Sequence, residues 1–259
     1  MSSVSPPLRN CLDAIDVFVL AGGLGTRIRP VLGDIPKLLA PIGRRTYLDH
    51  LLNWLRGFGA RRVVLGLGVR AQAIVDYAQA HPIAGIEIET VVEPSPLGTA
   101  GAIRFARATL RSDPILVVNG DSFADTDLCR LLERHHAACA SATVLCAEVE
   151  EAGRYGRLAL DAEGFVERFV EKDSSFRGKA WINAGIYFVS ARLLDVIAAG
   201  TATSLERDVF ERLPRRSLAA FTECFRFIDI GTPESLAQAN KIFSASLGAQ
   251  QARGGADAS

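Results

Sequence analysis

Apolar residues fall along the chain in short runs that alternate with stretches of helical spacing. "DVFVL" (Asp16–Leu20) reads as a buried strand. In "TYLDHLLNWLRGFG", Leu48, Leu51, Leu52 and Leu55 share one helical face, and Gly57 or Gly59 ends the helix. "RRVVLGLG" predicts a second strand, "AQAIVDYAQA" a helix and "IEIETVVE" a third strand. "TAGAIRFARATL" predicts a helix N-capped at or near Thr99, and "PILVVNGD" a fourth strand that ends in polar residues. Buried strands interleaved with helices predict a parallel, doubly wound α/β sheet.

After Asp121 the pattern changes. "ATVLCAEVE", "GRLALD", "GFVERFVEK" and "AGIYFVS" are closely spaced strands, with "DAEG" (Asp161–Gly164) as a turn between two of them. This half is expected to be mixed, with antiparallel pairs. "ARLLDVIAAG", "SLERDVFERL" and "PESLAQANKIF" read as helices. No internal repeat or linker interrupts the chain, which favours one domain with two halves.

Composition narrows the function. With 259 residues, 49% hydrophobic and 22% charged, the chain suits a globular protein with a substantial core. Its formal net charge of +0 gives no global field for nucleic acid or an anionic membrane, leaving room only for a local basic site. No apolar run approaches the ~20 residues of a membrane span, and Met1–Asn10 has no signal-peptide core. The five cysteines are scattered and form no C-x-x-C pair, so free thiols in a reducing cytoplasm are expected. His135 and His136 would point about 100° apart on a helix, which makes no chelate and suggests a solvated face.

The most informative stretch is "VFVLAGGLGTRIRP" (Val17–Pro30), where a strand breaks into three close glycines and then cations. Glycines let a ligand approach the backbone, whose N–H groups can cradle phosphate oxygens. An ordinary strand-to-helix turn is the plainer alternative. No P-loop string follows Gly22, and "GLGTRI" ends in Ile28 where a dinucleotide fingerprint needs a third glycine. Pro30 and Pro36 argue against an immediate helix. A long loop carrying Arg27, Arg29 and Lys37 at a strand's C-terminal end suits a triphosphate.

"LAGGLGTRIRPVLGDIPKLLAPIG" closely resembles the signature of sugar-1-phosphate nucleotidyltransferases, G-G-x-G-T-R-[LI]-x-P-x(n)-P-K. The resemblance implies a single α/β, Rossmann-like domain with a mixed, mainly parallel central sheet flanked by helices, plus a small antiparallel sugar-binding portion. The expected layout is a flexible N-terminus (1–12), a domain over 13–246 and a disordered tail (247–259). The nucleotide half would run over about 13–122 and the sugar half over about 123–246.

On this resemblance, Leu20, Ala21, Gly22, Gly23, Gly25, Thr26 and Arg27 belong to the nucleotide loop. "VVEPSPLGTAGAI" resembles a second nucleotide loop and adds Glu93, Gly98 and Thr99. A carboxylate at Glu93 could accept both adjacent donors of guanine, whereas uracil and thymine flank one donor with acceptors. A loop-capping role is the alternative for Glu93. "LVVNGDSFADTDL" and "FRFIDIGTPESL" place Asp121 and Asp229 where relatives hold Mg2+, a use that suits hard carboxylate oxygens. Either Asp alone would read as a turn or cap residue. Asp125 and Asp127 are expected to cap the next helix. The sugar 1-phosphate site is expected from Asn119, Asp121, Gly156, Glu171, Lys172, Asn183 and Gly185. An ion-rich strand end is the alternative for Glu171 and Lys172. Glu206 matches a position near the sugar side in relatives, with a plain amphipathic helix as the alternative.

The implied reaction is in-line attack of a sugar 1-phosphate oxygen on the α-phosphorus of a nucleoside triphosphate, with pyrophosphate leaving. The catalytic set would be Arg27 on the β,γ-phosphates, Lys37 on the α-phosphate, Lys172 on the nucleophile and Asp121 on Mg2+. GTP is the favoured nucleotide. "PKLLAPI", "NGDSF" and "SLERDVFERL" most resemble D-glycero-α-D-manno-heptose 1-phosphate guanylyltransferases. Mannose 1-phosphate guanylyltransferases and hexose-1-phosphate uridylyl- or thymidylyltransferases share most motifs. Only one helix and a tail follow Gly231, without a β-helix repeat, which argues against the ADP-glucose and acetyltransferase-fused types. A cytoplasmic location is expected, with no nucleic-acid or membrane partner, and a homo-oligomer is compatible. A non-catalytic nucleotide-sugar regulatory protein and a dehydrogenase are the readings from other classes.

Overall fold

The computed structural model describes residues 10–243 apart from residues 24, 155, 171, 172 and 242. In the first half, β1 (Val17–Ala21) leads through α1 (Arg29–Leu32) to a short pair, β2 (Pro41–Ile42) and β3 (Arg45–Thr46). Helix α2 (Tyr47–Gly57), β4 (Arg62–Leu67), α3 (Ala71–Ala80), β5 (Glu87–Val92), α4 (Gly98–Ala106) and β6 (Ile115–Asn119) follow. The second half holds β7 (Ser122–Ala124), α5 (Leu128–Ala138), β8 (Ala142–Val149), β9 (Arg157–Leu160) and β10 (Val166–Val170). After these come β11 (Ala180–Val189), α6 (Ala191–Ala199), β12 (Leu218–Glu223), β13 (Phe227–Asp229) and a last helix, α7, over 233–241.

The central sheet is mixed and mainly parallel. It runs β10-β9-β11-β6-β1-β4-β5, with β8 added on β11 and β12 on β8. Strands β6, β1, β4 and β5 are all parallel, and the long β11 runs antiparallel to β6, β8 and β9. Alternate residues of the parallel strands enter two separate cores. Val17, Val19, Val63 and Leu65 face α2, α3, α5 and α7, while Phe18, Val64 and Val117 face α4 and α6. Burial on both faces is why these strands read as continuous apolar runs. The turn over Asp161–Gly164 is present, with Gly164 N–H donating to Asp161 O, and it joins β9 to antiparallel β10.

Local chemistry explains the boundaries. Thr46 starts α2 with a capping box: its hydroxyl accepts from Asp49 N–H, and the Asp49 carboxylate accepts from Thr46 N–H. Asp127 caps α5 as expected, accepting from Cys129 N–H. Asp125 does not cap; it pairs with Arg226 at 2.6 Å, across the small β7–β13 sheet.

Several expectations are corrected. Pro30 sits in the first turn of α1, where its missing N–H costs nothing, so a one-turn helix forms inside the expected loop. Helix α4 begins at Gly98 with its N-cap at Leu97, near the expected position but not at Thr99 itself, and without a side-chain cap bond. "SLERDVFERL" forms a π turn (Leu205–Val209) and a 3-10 turn (Phe210–Arg212), because Leu205, Val209 and Phe210 are all drawn into one core. Cys11 and Cys129 are joined in a disulfide across 118 residues, and Leu12 is fully buried, so neither Cys11 nor Leu12 belongs to a flexible arm. Among the described residues, Cys139, Cys146 and Cys224 are free thiols. His135 is buried and bonded to Thr143 Oγ1, while His136 alone takes the solvated face. Residues 1–9 of the expected N-terminal arm and the tail from 247 lie outside the described residues. No helix among the described residues is long and apolar enough to cross a membrane.

Candidate active site

All four parallel strands end on one side of the sheet, at Ala21, Leu67, Val92 and Asn119. The chain places β4 and β5 on one side of β1 and returns to place β6 on the other. A crevice opens where the order reverses, the usual ligand site of such sheets. Here it forms a cleft of about 500 Å³. Leu20, Ala21, Gly22, Gly23, Gly25, Thr26 and Arg27 line one wall, and Glu93, Gly98 and Thr99 line the opposite one. Lys37, Asn119 and Asp121 form the floor beside Gly231.

The floor is charged. Asp121 follows β6, and Asp229 ends β13, which pairs antiparallel with β7 so that Asp229 lies opposite Ser122. Ile230 N–H donates to Asp121 O at 2.9 Å, locking the two strand ends together. Lys37, at the start of a 3-10 turn after Pro36, reaches both carboxylates: Nζ is 2.5 Å from Asp121 Oδ2 and 4.0 Å from Asp229 Oδ1. Burial and the nearby Asp121 charge hold the Asp229 carboxyl above its usual pKa, against the pull of Lys37, Gly231 N–H and Arg27. Asp229 Oδ1 is buried and has no hydrogen-bond partner. Among the described residues, no group of three or more His, Cys, Asp or Glu side chains converges on a metal-sized site. Two carboxylates with an orphaned buried oxygen fit Mg2+, which completes its shell with water and phosphate oxygens.

Glu93 is buried, and its Oε2 accepts from Leu97 N–H at 3.1 Å, so it does cap its loop. Its Oε1 lies across from Gly22, 3.0 Å from where a Cβ there would stand. The carboxylate therefore also faces the first glycine loop.

Gly185 lies on β11 at φ +73°, inside the register shift between Asn183 and Tyr187. A Cβ there would stand 2.4 Å from Asn119 Nδ2, so only glycine admits the Asn119 side chain. Asn119 Oδ1 is buried without a partner. Asn183 turns its amide inward instead, donating from Nδ2 to Tyr187 Oη and accepting Gly185 N–H at Oδ1. Gly156 immediately precedes β9 in the second half of the sheet. Glu171 and Lys172 lie outside the described residues.

Two site residues escaped the sequence. Arg70 lines the cleft at φ 64° and clamps the loop beyond α1, donating to Gly33 O at 3.1 Å and Asp34 Oδ1 at 2.5 Å. An arginine just after a strand, in "GVRAQ", was its only signal. Tyr47 is fully buried and donates to Ser122 O at 2.8 Å, next to both aspartates. Burial and the charges of Asp121 and Asp229 push its phenol well above the usual pKa. Nothing in its helical context marks it.

Known proteins share this fold. The Nucleotidyl transferase family matches residues 16–246. The mannose-1-phosphate guanyltransferase of Pichia angusta is 33% identical over 236 residues, covering 89% of this chain and 64% of that protein. This chain thus spans less than two thirds of that relative's length. The crystal structure of HddC from Yersinia pseudotuberculosis superposes with a TM-score of 0.80 at 32% identity, covering 88% of this chain and 99% of the other. The same protein complexed with GMP-PN superposes at 0.79. A cleft at the switch point, framed by two glycine loops and floored by two aspartates, is thus set in a chain that belongs to the nucleotidyl transferase family.

Proposed function

We propose that this chain transfers a guanylyl group from GTP to a sugar 1-phosphate, giving a GDP-sugar and pyrophosphate. The observation that carries this reading is the convergence of Lys37, Asp121 and Asp229 beneath the glycine-rich loop. The likeness to HddC, solved with GMP-PN, and to mannose-1-phosphate guanyltransferases supports a guanine nucleotide.

In this reading a sugar 1-phosphate oxygen attacks the α-phosphorus in line. The α–β phosphoanhydride bond breaks, and its electron pair leaves with pyrophosphate. The attacking phosphate is already ionised near neutral pH, so no general base is required. Positioning and charge neutralisation do most of the work. Arg27, exposed on the loop, would hold the β,γ-phosphates. Lys37 uses one of its three N–H donors on Asp121 and can give the others to the α-phosphate. Asp121 and Asp229 would hold Mg2+, which supplies charge neutralisation on the phosphate oxygens. Glu93 Oε1 would accept from the guanine edge while Oε2 keeps the loop closed. Asn119 would give its free Oδ1 to a sugar hydroxyl. Lys172 and Glu171 are proposed for the nucleophile and the sugar from the sequence alone.

Two sugars fit. The strings "PKLLAPI" and "SLERDVFERL" favour D-glycero-α-D-manno-heptose 1-phosphate. The relatives named as mannose-1-phosphate guanyltransferases favour mannose 1-phosphate. Both have the manno configuration and differ beyond C6. The test is pyrophosphate release with Mg2+ from GTP, UTP, dTTP and ATP, each against heptose, mannose and glucose 1-phosphates. Guanine-dependent release with a manno sugar is expected. No release in any pairing would favour a regulatory nucleotide-sugar-binding protein.

A further inference from the structure

The Thr99 loop and strand β11 on the proposed sugar side are physically joined through one carboxylate that the mechanism above does not use. Thr99, on the nucleotide wall, accepts Leu205 N–H at 2.7 Å and donates its hydroxyl to Glu206 Oε2 at 3.3 Å. The other oxygen, Glu206 Oε1, accepts from Tyr187 Oη at 3.1 Å. Tyr187 Oη in turn accepts from Asn183 Nδ2 at 2.7 Å, and Asn183 Oδ1 holds Gly185 N–H at 2.9 Å. Gly185 is the residue packed against Asn119 on the cleft floor. A continuous path of hydrogen bonds therefore runs from the nucleotide loop to the sugar-side strand, with Glu206 at its centre.

The path has little slack. Thr203 O accepts Ala100 N–H at 2.9 Å and would stand 2.4 Å from a Cβ on Gly98, which has φ +76°. Arg104 donates to Ala202 O at 2.9 Å. The segment before Glu206 is thus seated on the start of α4, and a shift in Gly98–Thr99 must move Glu206 with it. Tyr187 is fully buried, so its hydroxyl has no water to turn to if Glu206 withdraws. Among the described residues, no cation pairs with Glu206; three hydroxyls, from Thr99, Tyr187 and Ser204, hold it. A carboxylate held by neutral donors on two sides acts as a strut between them.

We infer that Glu206 is a positioning residue that couples the two substrates, so that nucleotide binding orders the sugar 1-phosphate site and the reverse. This deepens the reading under Proposed function and rests on it. Coupling of this kind is reciprocal and typically amounts to about 5- to 150-fold in affinity.

The test uses the full chain with Mg2+ and α,β-methylene-GTP, which binds as GTP but cannot transfer its guanylyl group. Calorimetry gives the Kd of the analogue alone, of mannose or heptose 1-phosphate alone, and of each with the other at saturation. Wild type should bind each ligand about tenfold more tightly in the presence of the other. Glu206→Ala and Tyr187→Phe should keep each lone Kd within about twofold and reduce the coupling factor toward one. Glu206→Gln retains two acceptor lone pairs and should restore part of it. Circular dichroism and Tm check that the variants fold, and Tyr187→Phe serves if Glu206→Ala does not. Independent binding of both ligands in wild type, or unchanged coupling in both folded variants, overturns this inference alone. So does loss of lone sugar affinity in Glu206→Ala with coupling intact, since Glu206 would then be a direct sugar contact. Absence of any nucleotide binding overturns it together with the proposed activity.

Discussion

The Lys37 ammonium lies 2.5 Å from Asp121 Oδ2, joining residues 84 apart in sequence at the floor of one cleft. The contact has a structural role as well as a proposed chemical one, because Lys37 also neutralises Asp229 at 4.0 Å. Replacing Lys37 with alanine leaves two neighbouring carboxylates without their cation. Lys37→Ala should therefore lower turnover by about 10²–10³-fold and also lower Tm, by the equivalent of about 1–2 kcal/mol. Pyrophosphate release and a thermal melt at pH 7.5 check both. A variant with wild-type turnover would remove Lys37 from the mechanism.

Asp229 behaves in the opposite way. Its Oδ1 is buried without a hydrogen bond, and burial together with the Asp121 charge disfavours its ionised form. Asp229→Asn keeps the shape and removes the repelled charge. The expected result is a Tm that does not fall, beside a loss of turnover of at least about 100-fold. A simple stabilising role for Asp229 would give a lower Tm with activity retained.

The difference between these residues marks what the chain discloses in one dimension. The parallel half was legible because Val17–Leu20, Val63–Leu65 and Ile115–Val118 are buried on both faces, so their apolar runs are unbroken. Lys37 was marked as a candidate by the cations of its own loop, whereas Asp121, like Asp229, was placed only through the family resemblance, since a lone Asp at a strand end reads as a turn or cap residue. The β7–β13 pair that brings Asp229 beside Asp121 is three residues long on each side and has no pattern of its own. Its residues gave a site position only through resemblance. The Cys11–Cys129 bridge was misread for a related reason: spacing across 118 residues carries no pairing information. The π turn at Leu205–Val209 was read as an ordinary helix because its apolar spacing is nearly helical.

Gly185 links the fold to the proposed sugar side. Its φ of +73° disfavours any side chain, and a Cβ would collide with the Asn119 amide at 2.4 Å. Gly185→Ala should cost about 1–3 kcal/mol of stability and push Asn119 off the cleft floor. If Asn119 contacts the sugar, KM for the sugar 1-phosphate should rise at least about fivefold more than KM for GTP. Equal rises would mean that the strand supports the cleft as a whole.

In the proposed reading, base choice depends on Glu93. Its Oε2 is committed to Leu97 N–H, and only Oε1 and its remaining lone pairs are left for a base edge. Glu93→Gln can preserve the loop cap while replacing one acceptor with a donor. The guanine preference, measured as kcat/KM for GTP over that for UTP, should fall at least about tenfold, near the lower end of the about 1.5–3 kcal/mol of a hydrogen bond to a charged group. A preference unchanged in Glu93→Gln would leave Glu93 as a loop cap only.

His135 gives the chain an acid-sensitive point far from the cleft. It is buried between α5 and the sheet, bonded to Thr143 Oγ1, with its ring tilted beside that of Phe188 at 5.9 Å. Burial, helped by the neighbouring His136 and opposed by Asp113, pushes its pKa down from 6.5 to about 4. In the unfolded chain the imidazole regains its ordinary value, so between pH 6.5 and 4 the unfolded state binds more protons than the folded one. The contribution is therefore complete above about pH 6.5 and is lost as the pH falls through that window, to a total of at most about 3 kcal/mol. His135→Gln can keep the bond to Thr143 without titrating. Urea unfolding of both proteins from pH 7.5 to 4.5 should show wild type losing more stability than the variant, with the gap opening below pH 6.5. Parallel curves across that range would mean that His135 is already free to take up its proton in the folded chain.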